Sequence, residues 1–161
     1  MEQHSAPTNL ADVGMPSHRR NKAEGAFASQ GLGPTPKHRL RVLIVEDQSF
    51  IALDCEMALR ARGHEVVGVA STADEAAKLA GQHHPDLVLM DIRLASSRTG
   101  LEAAIEIYRS WSIRCIFTSA HGDDFTRRLA EPANPLGWIN KPYTCEEMLK
   151  TVETAGEGLA G

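Results

Sequence analysis

The chain has 161 residues, 42% of them apolar and only 5% aromatic, with a formal net charge of −4; that is room for one ordinary domain with a real core and no second full domain. Such mild acidity gives no reason to expect nucleic acid or a membrane surface as a partner. No apolar stretch approaches the ~20 residues that cross a bilayer, and no apolar block marks a secretory leader, so the expected location is the cytoplasm.

Residues 1–38 are rich in Ala, Gly, Pro, Ser, Asn and His without helical or strand periodicity, and are expected to be a disordered extension. Its basic cluster, His18 to Lys22, reads as a solvated run. From Leu40 a regular alternation begins. "LRVLIVE" is a β-branched apolar strand, followed by the helix "SFIALDCEMALRARG" with Ile51, Cys55, Ala58 and Leu59 on one face, Ser49 as its expected N-cap and Gly63 as its stop. "HEVVGVA" is a second strand and "TADEAAKLAGQ" an Ala-rich helix; Pro85 breaks the chain before the strand "DLVLMD". His83 and His84 adjoin that break and are expected in solvent.

The helix "GLEAAIEIYRSW" has a stripe of Leu101, Ala104, Ile105 and Tyr108, and the strand "IRCIFTS" follows. "DDFTRRLAE" is a short helix closed by Pro132 and Pro135, "LGWIN" a fifth strand and "TCEEMLKTVETA" a fifth helix, after which residues 156–161 are expected to fray. Cys55 and Cys115 sit in apolar patterns and are expected to be small buried hydrophobes; with Cys145 they form no CxxC pair for zinc or redox chemistry.

Strands alternating with helices, with runs apolar on both faces, predict an α/β fold with a doubly wound parallel sheet. In such a sheet the residues just past each strand gather along one edge, where ligands bind. Read in order, those residues are Glu46 and Asp47, then Asp91, Thr118, and Lys141 followed by Pro142. Asp86 starts the third strand, roughly 17 Å from Asp91 at ~3.3 Å per residue, and belongs to the opposite edge. Each residue alone has an ordinary alternative: an acidic turn, a buried β former, a chance Lys-Pro pair. Together, three carboxylates at close range call for positive charge, which Lys141 and a hard, oxygen-loving cation such as Mg²⁺ supply.

"VLIVED", "DLVLMDIRL", "IFTSA" and "GWINKPY", in this order, resemble the receiver domain of bacterial two-component response regulators over Arg39 to Ala155. The resemblance implies a flavodoxin-like strand order 2-1-3-4-5 and a receiver domain over residues 39–155. It implies that Asp91 accepts a phosphoryl group from a sensor histidine kinase or histidine phosphotransfer protein. Glu46, Asp47 and Asp91 match the side chains that hold Mg²⁺, with the backbone carbonyl of Arg93 as a further ligand, and Thr118 and Lys141 match the groups that contact the phosphoryl oxygens. Thr118 and Trp138 match the switch pair, Pro142 follows a cis bond, and Arg93 and Ala120 match positions that set the acyl-phosphate lifetime.

Three features depart from the family pattern. Trp138 stands where Tyr or Phe is usual, Glu46 where Asp is common, and the loop "IRLASSRTG" has Ala95 in place of a proline and one more residue before Gly100. Downstream contact, or a homodimer, is expected through the fourth helix, fifth strand and fifth helix, near Arg127, Arg128, Trp138 and Tyr143. No output module follows the fifth helix, so the expected function is a stand-alone receiver that signals to a partner or relay rather than an enzyme. The alternative, a Mg²⁺-dependent phosphohydrolase with a strand-end aspartate nucleophile, usually places a second acid two residues on, where this chain has Arg93. A binding module that has lost phosphorylation fits less well with all five site residues present.

Overall fold

The computed structural model describes residues 35–161; the extension expected over residues 1–38 lies almost wholly outside the described residues. Five strands, β1 (Arg41–Val45), β2 (Glu65–Ala70), β3 (Leu87–Asp91), β4 (Arg114–Ser119) and β5 (Gly137–Asn140), form one parallel sheet in the order 2-1-3-4-5. The intervening helices are α1 (Ser49–Arg62), α2 (Ala73–His83), α3 (Gly100–Trp111), α4 (Asp124–Ala130), with a 3₁₀ turn at Glu131–Ala133, and α5 (Cys145–Ala160). This is the expected flavodoxin-like fold. Among the described residues no helix is long and apolar enough to cross a membrane.

Period-two alternation sorts the strand side chains into two cores. Val42, Ile44, Leu87, Leu89, Ile116 and Ile139 meet α1 and α5, while Leu43, Val45, Val88, Met90, Cys115 and Phe117 meet α2 and α3. Cys55 and Cys115 are buried as expected, and burial pushes the Cys115 thiol up to about 12. Every residue of β3 is buried, so Asp91 reaches the sheet edge at the end of an apolar rod.

Helix ends follow local chemistry. The side chains of Thr72, Thr99, Asp123 and Thr144 cap α2, α3, α4 and α5, and Thr99 with Glu102 and Thr144 with Glu147 form capping boxes. Helix α1 differs from expectation: Ser49 is its first helical residue, and the cap is Gln48 without a side-chain bond. The turn is built around the acid instead, since the Gln48 N–H donates to Glu46 Oε1 at 3.0 Å. Gly63 ends α1 with φ 101°, a left-handed conformation that suits glycine.

Two other expectations are corrected. The buried face of α3 is Gly100, Ala103, Ala104 and Ile107, with Leu101, Ile105 and Tyr108 at its margin, because Gly100 is pressed against the Asp91 backbone and fixes the helix rotation. The chain does not fray at Gly156 either. Helix α5 runs to Ala160, its last turns anchored by buried Ala155 and by Gly156, where a Cβ would come within 2.7 Å of Leu40 Cδ1. His83 and His84 are exposed, and Asp86 accepts the Arg41 N–H at 2.7 Å, at the end of β3 remote from Asp91.

Beneath α5 lies a polar knot in which Arg62 and His64 are buried and their α5 acids are partly exposed. The Arg62 guanidinium donates to Glu146 Oε2 at 2.9 Å and to Glu153 Oε1 at 3.1 Å. Beside it the fully buried ring of His64 accepts the Leu40 N–H at Nδ1 (3.2 Å), so the neutral ring carries its proton on Nε2, 4.0 Å from Glu153 Oε1. Burial holds the His64 pKa below the usual histidine value, with Arg62 adding to the effect and Glu153 opposing it. Protonation would turn Nδ1 into a donor facing a donor. Because the unfolded chain takes up this proton at higher pH than the folded one, the stabilising contribution is intact above about pH 6.5 and is lost as pH falls through the lowered folded value. Thermal melts of His64→Asn, whose Oδ1 can still accept the Leu40 N–H, should therefore fall less steeply below about pH 6.5 than those of the parent; identical profiles would rule this out.

Candidate functional site

Four strands deliver the site. β1 runs into Glu46 and Asp47, β3 ends on Asp91, Thr118 of β4 stands opposite Asp91 in register, and Lys141 follows β5, its N–H held by Ser119 O at 2.9 Å. Lys141 Nζ lies 2.8 Å from Asp91 Oδ2 and 2.9 Å from Glu46 Oε2. Carboxylate oxygens of Glu46, Asp47 and Asp91 lie within 4.8 Å of one another. Each acid is also held by a backbone donor: Gln48 N–H to Glu46 Oε1, Arg93 N–H to Asp91 Oδ1 and Ala95 N–H to Asp47 Oδ2, each at 3.0 Å. The convergence expected from strand order is therefore present, and Asp86 is correctly outside it.

Three carboxylates and one ammonium leave a local charge deficit. Glu46 and Asp91 are buried, Asp47 half-buried. Burial raises the Glu46 pKa despite the Lys141 and Gln48 hydrogen bonds, with the Asp91 charge adding to the rise. For Lys141, burial works against the charge, but the bonds to Asp91 and Glu46 outweigh it and hold the ammonium above its usual value. The donors of the cluster are all oxygens, with no imidazole or thiolate among them, which suits a hard divalent cation rather than zinc or copper.

Thr118 is buried, and Arg93 and Ala120 are exposed at the rim. The Lys141–Pro142 bond is cis, as expected. Trp138 does not enter the acidic cluster. It is half-buried, paired across the sheet with Phe117 (ring centroids 4.9 Å apart, 34° between planes), with the Arg127 guanidinium 4.9 Å from the indole centroid. Tyr143, named with Trp138 for the expected contact surface, is half-buried: its hydroxyl lies 3.5 Å from Cys55 Sγ on α1 and its ring packs against the α1/α5 core, whereas Trp138 packs against the core on the other face of the sheet.

Sequence reading missed three features. Gly100 abuts the Asp91 carbonyl, a contact signalled only by a glycine at a helix start. Arg98 joins the β3–α3 loop to Asp74 on α2 and Glu106 on α3, partners far apart in the chain. Phe50, Leu53 and Met57 form an exposed apolar stripe on α1, Phe50 being 86% exposed; their i, i+3, i+7 spacing was visible, but as a second apolar face on a helix already assigned one.

Comparison with known proteins agrees with this geometry. The family described as response regulator receiver domain matches residues 42–153. The transcriptional regulatory protein PdtaR of Mycobacterium tuberculosis is 34% identical over 115 residues, covering 71% of this chain and 56% of PdtaR. The phyllosphere-induced regulator PhyR of Methylorubrum extorquens is 37% identical over 103 residues, 63% of this chain and 38% of PhyR. This chain thus spans about half the length, or less, of these relatives. Among solved structures, the signal receiver domain of a modulated diguanylate cyclase from Desulfovibrio desulfuricans G20 superposes with a TM-score of 0.69 at 29% identity, covering 76% of this chain and 98% of that one. PhyR from Brucella abortus gives 0.63 at 31%, covering 75% and 49%. With its strand order, its edge of converging acids and a family match over most of its length, this chain belongs to the response regulator receiver domain family.

Proposed function

We propose that the chain is a phosphoryl-accepting receiver in which Asp91 is the nucleophile. The observation that carries this reading is the Lys141 ammonium bridging Asp91 and Glu46 at 2.8 and 2.9 Å beside a third carboxylate. A carboxylate is a weak nucleophile, so the site must position the donor and offset the charge spread over the transferring oxygens. Asp91 attacks phosphorus, the donor's leaving group departs, and an acyl phosphate forms; Lys141 and Thr118 contact the phosphoryl oxygens. Glu46, Asp47, Asp91 and the Arg93 carbonyl hold Mg²⁺, which when bound supplies the remaining countercharge. Arg93 and Ala120, exposed at the rim, set how readily water reaches the acyl phosphate.

The donor is a histidine kinase or phosphotransfer protein, and the output a partner protein or relay. Arg127 and Arg128, with the exposed apolar side chains Phe125 and Leu129 of α4, support the α4–β5–α5 surface as the contact face, for a partner or a second copy. The direct test is intact-protein mass after incubation with a small phosphodonor and Mg²⁺: one phosphoryl group added to the parent, none to Asp91→Asn. Against a phosphohydrolase stands the exposed Arg93 where a second acid is needed.

Thr118 and Trp138 are the switch pair of this reading. In a Trp111→Phe background, where Trp138 is the remaining indole, its emission should change on phosphorylation. An unchanged spectrum would assign Trp138 to packing alone.

A further inference from the structure

The β3–α3 loop, residues 92–99, carries two serines and no proline, a composition with a high entropic cost of ordering. Yet it is tied at both ends and in the middle. At its start the Ile92 N–H donates to Thr118 O at 3.2 Å, and at its end the Gly100 N–H returns to Ile92 O at 3.0 Å. Between them the Ser96 hydroxyl donates to Arg98 O at 2.7 Å, closing a turn. The Arg98 side chain then leaves the loop in two directions, donating through Nη1 to Asp74 Oδ1 on α2 (2.7 Å) and through Nη2 to Glu106 Oε2 on α3.

On the inner side of the same turn the Ala95 N–H donates to Asp47 Oδ2 at 3.0 Å. Proline at position 95 has no such proton. The departure from the family pattern at Ala95 and the Arg98 clamp are therefore two parts of one arrangement. The backbone at 95 orients a site carboxylate, and the side chain at 98 holds that backbone from outside.

We propose that Arg98 and the Ala95 amide are positioning groups for the acidic site: Arg98 bridges α2 and α3 to fix the loop, and the fixed loop presents the Ala95 N–H to Asp47 so that its carboxylate is pre-aligned with Glu46 and Asp91. This rests on the cation-assisted reading of the site given above. The magnitudes separate a local role from a global one. Asp74 is 76% exposed and Glu106 43%, so each pair contributes little to overall stability. The order of the loop alone depends on them, as expected for a segment that opens below the global unfolding free energy.

The test is amide hydrogen exchange of the full chain combined with calorimetric titration of Mg²⁺. Arg98→Ala is expected to exchange the amides of residues 93–98, Ala95 included, about tenfold faster, the effect of two surface pairs acting on a local opening. It should weaken Mg²⁺ binding several-fold with little change in the thermal midpoint, and Arg98→Lys should recover part of both effects. Ala95→Pro should weaken Mg²⁺ binding as well. Unchanged loop exchange in Arg98→Ala overturns the clamp, and faster exchange with unaltered Mg²⁺ affinity overturns its role at the site. A parent that binds no Mg²⁺ overturns the cation reading itself, while the exchange data still decide whether Arg98 holds the loop.

Discussion

Asp91→Asn is expected to lose phosphoryl acceptance entirely while keeping its thermal midpoint within about 5 °C of the parent. The loss follows from chemistry, since an amide has no anionic oxygen to attack phosphorus. The retained stability follows from charge arithmetic. Asp91 faces two carboxylates within 4.8 Å, each repulsion being at least about 3.5 kcal/mol at an effective dielectric of about 20 before solvent screening. Against these stands the Lys141 ammonium at 2.8 Å, an attraction of about 6 kcal/mol on the same scale. Screening of half-exposed Asp47 narrows the gap further, so neutralising position 91 changes stability by only about 1 kcal/mol. Asn Oδ1 can keep the Arg93 N–H bond; the Lys141 ammonium, which cannot donate to the amide NH₂, keeps its bond to Glu46 Oε2. Intact mass after treatment with phosphodonor and Mg²⁺, together with a melt, checks both halves. Undiminished phosphorylation would falsify the assignment of Asp91, and a collapse in stability would contradict the near-cancellation.

Gly100→Ala is expected to damage fold and site together. A Cβ at this position would lie 1.8 Å from the Asp91 carbonyl oxygen, 2.9 Å from its carbon and 3.1 Å from Met90 Sδ. The first two atoms are backbone of a central strand, so relief must come from displacing the start of α3. Overpacking of this kind costs about 1–3 kcal/mol or more. The obstructing backbone is that of Asp91 itself, so whatever α3 does not absorb moves the reacting group, and a misplacement of about 1 Å there reduces rate by about a hundredfold. Melts and phosphoryl-uptake rates should therefore both fall. Gly158→Ala is the control: nothing lies within 4 Å of a Cβ there, and replacing an exposed helical glycine should stabilise by about 0.5–1 kcal/mol. Equal behaviour of the two variants would refute the steric account.

The sheet was legible because β1, β3 and β4 each carry a continuous apolar stretch (VLIV, LVLM and CIF) and Gly63, Pro85 and Pro135 punctuate the chain between elements. Glu46, Asp47, Asp91, Thr118 and Lys141 were legible for the same reason, since parallel strands force their ends to one edge. What escaped was set by tertiary contact. The rotation of α3 is dictated by Gly100 meeting Asp91, not by the stripe of its larger side chains. The last turns of α5 persist because Leu40, more than a hundred residues earlier, covers Gly156. Tyr143 turns its ring onto the α1/α5 core, and no periodicity encodes that direction.

The knot of Arg62, His64, Glu146 and Glu153 also divides the molecule mechanically. It ties the C-terminal end of α1 to α5 through the two Nη groups of one guanidinium, whereas the seven-residue α4 sinks just one of its own residues, Ala130, into the interior. The α1 and α5 flank is therefore cross-linked by side chains distant in sequence, whereas α4 is held to the body by little buried surface, so α4 is the element that opens at the lower free energy.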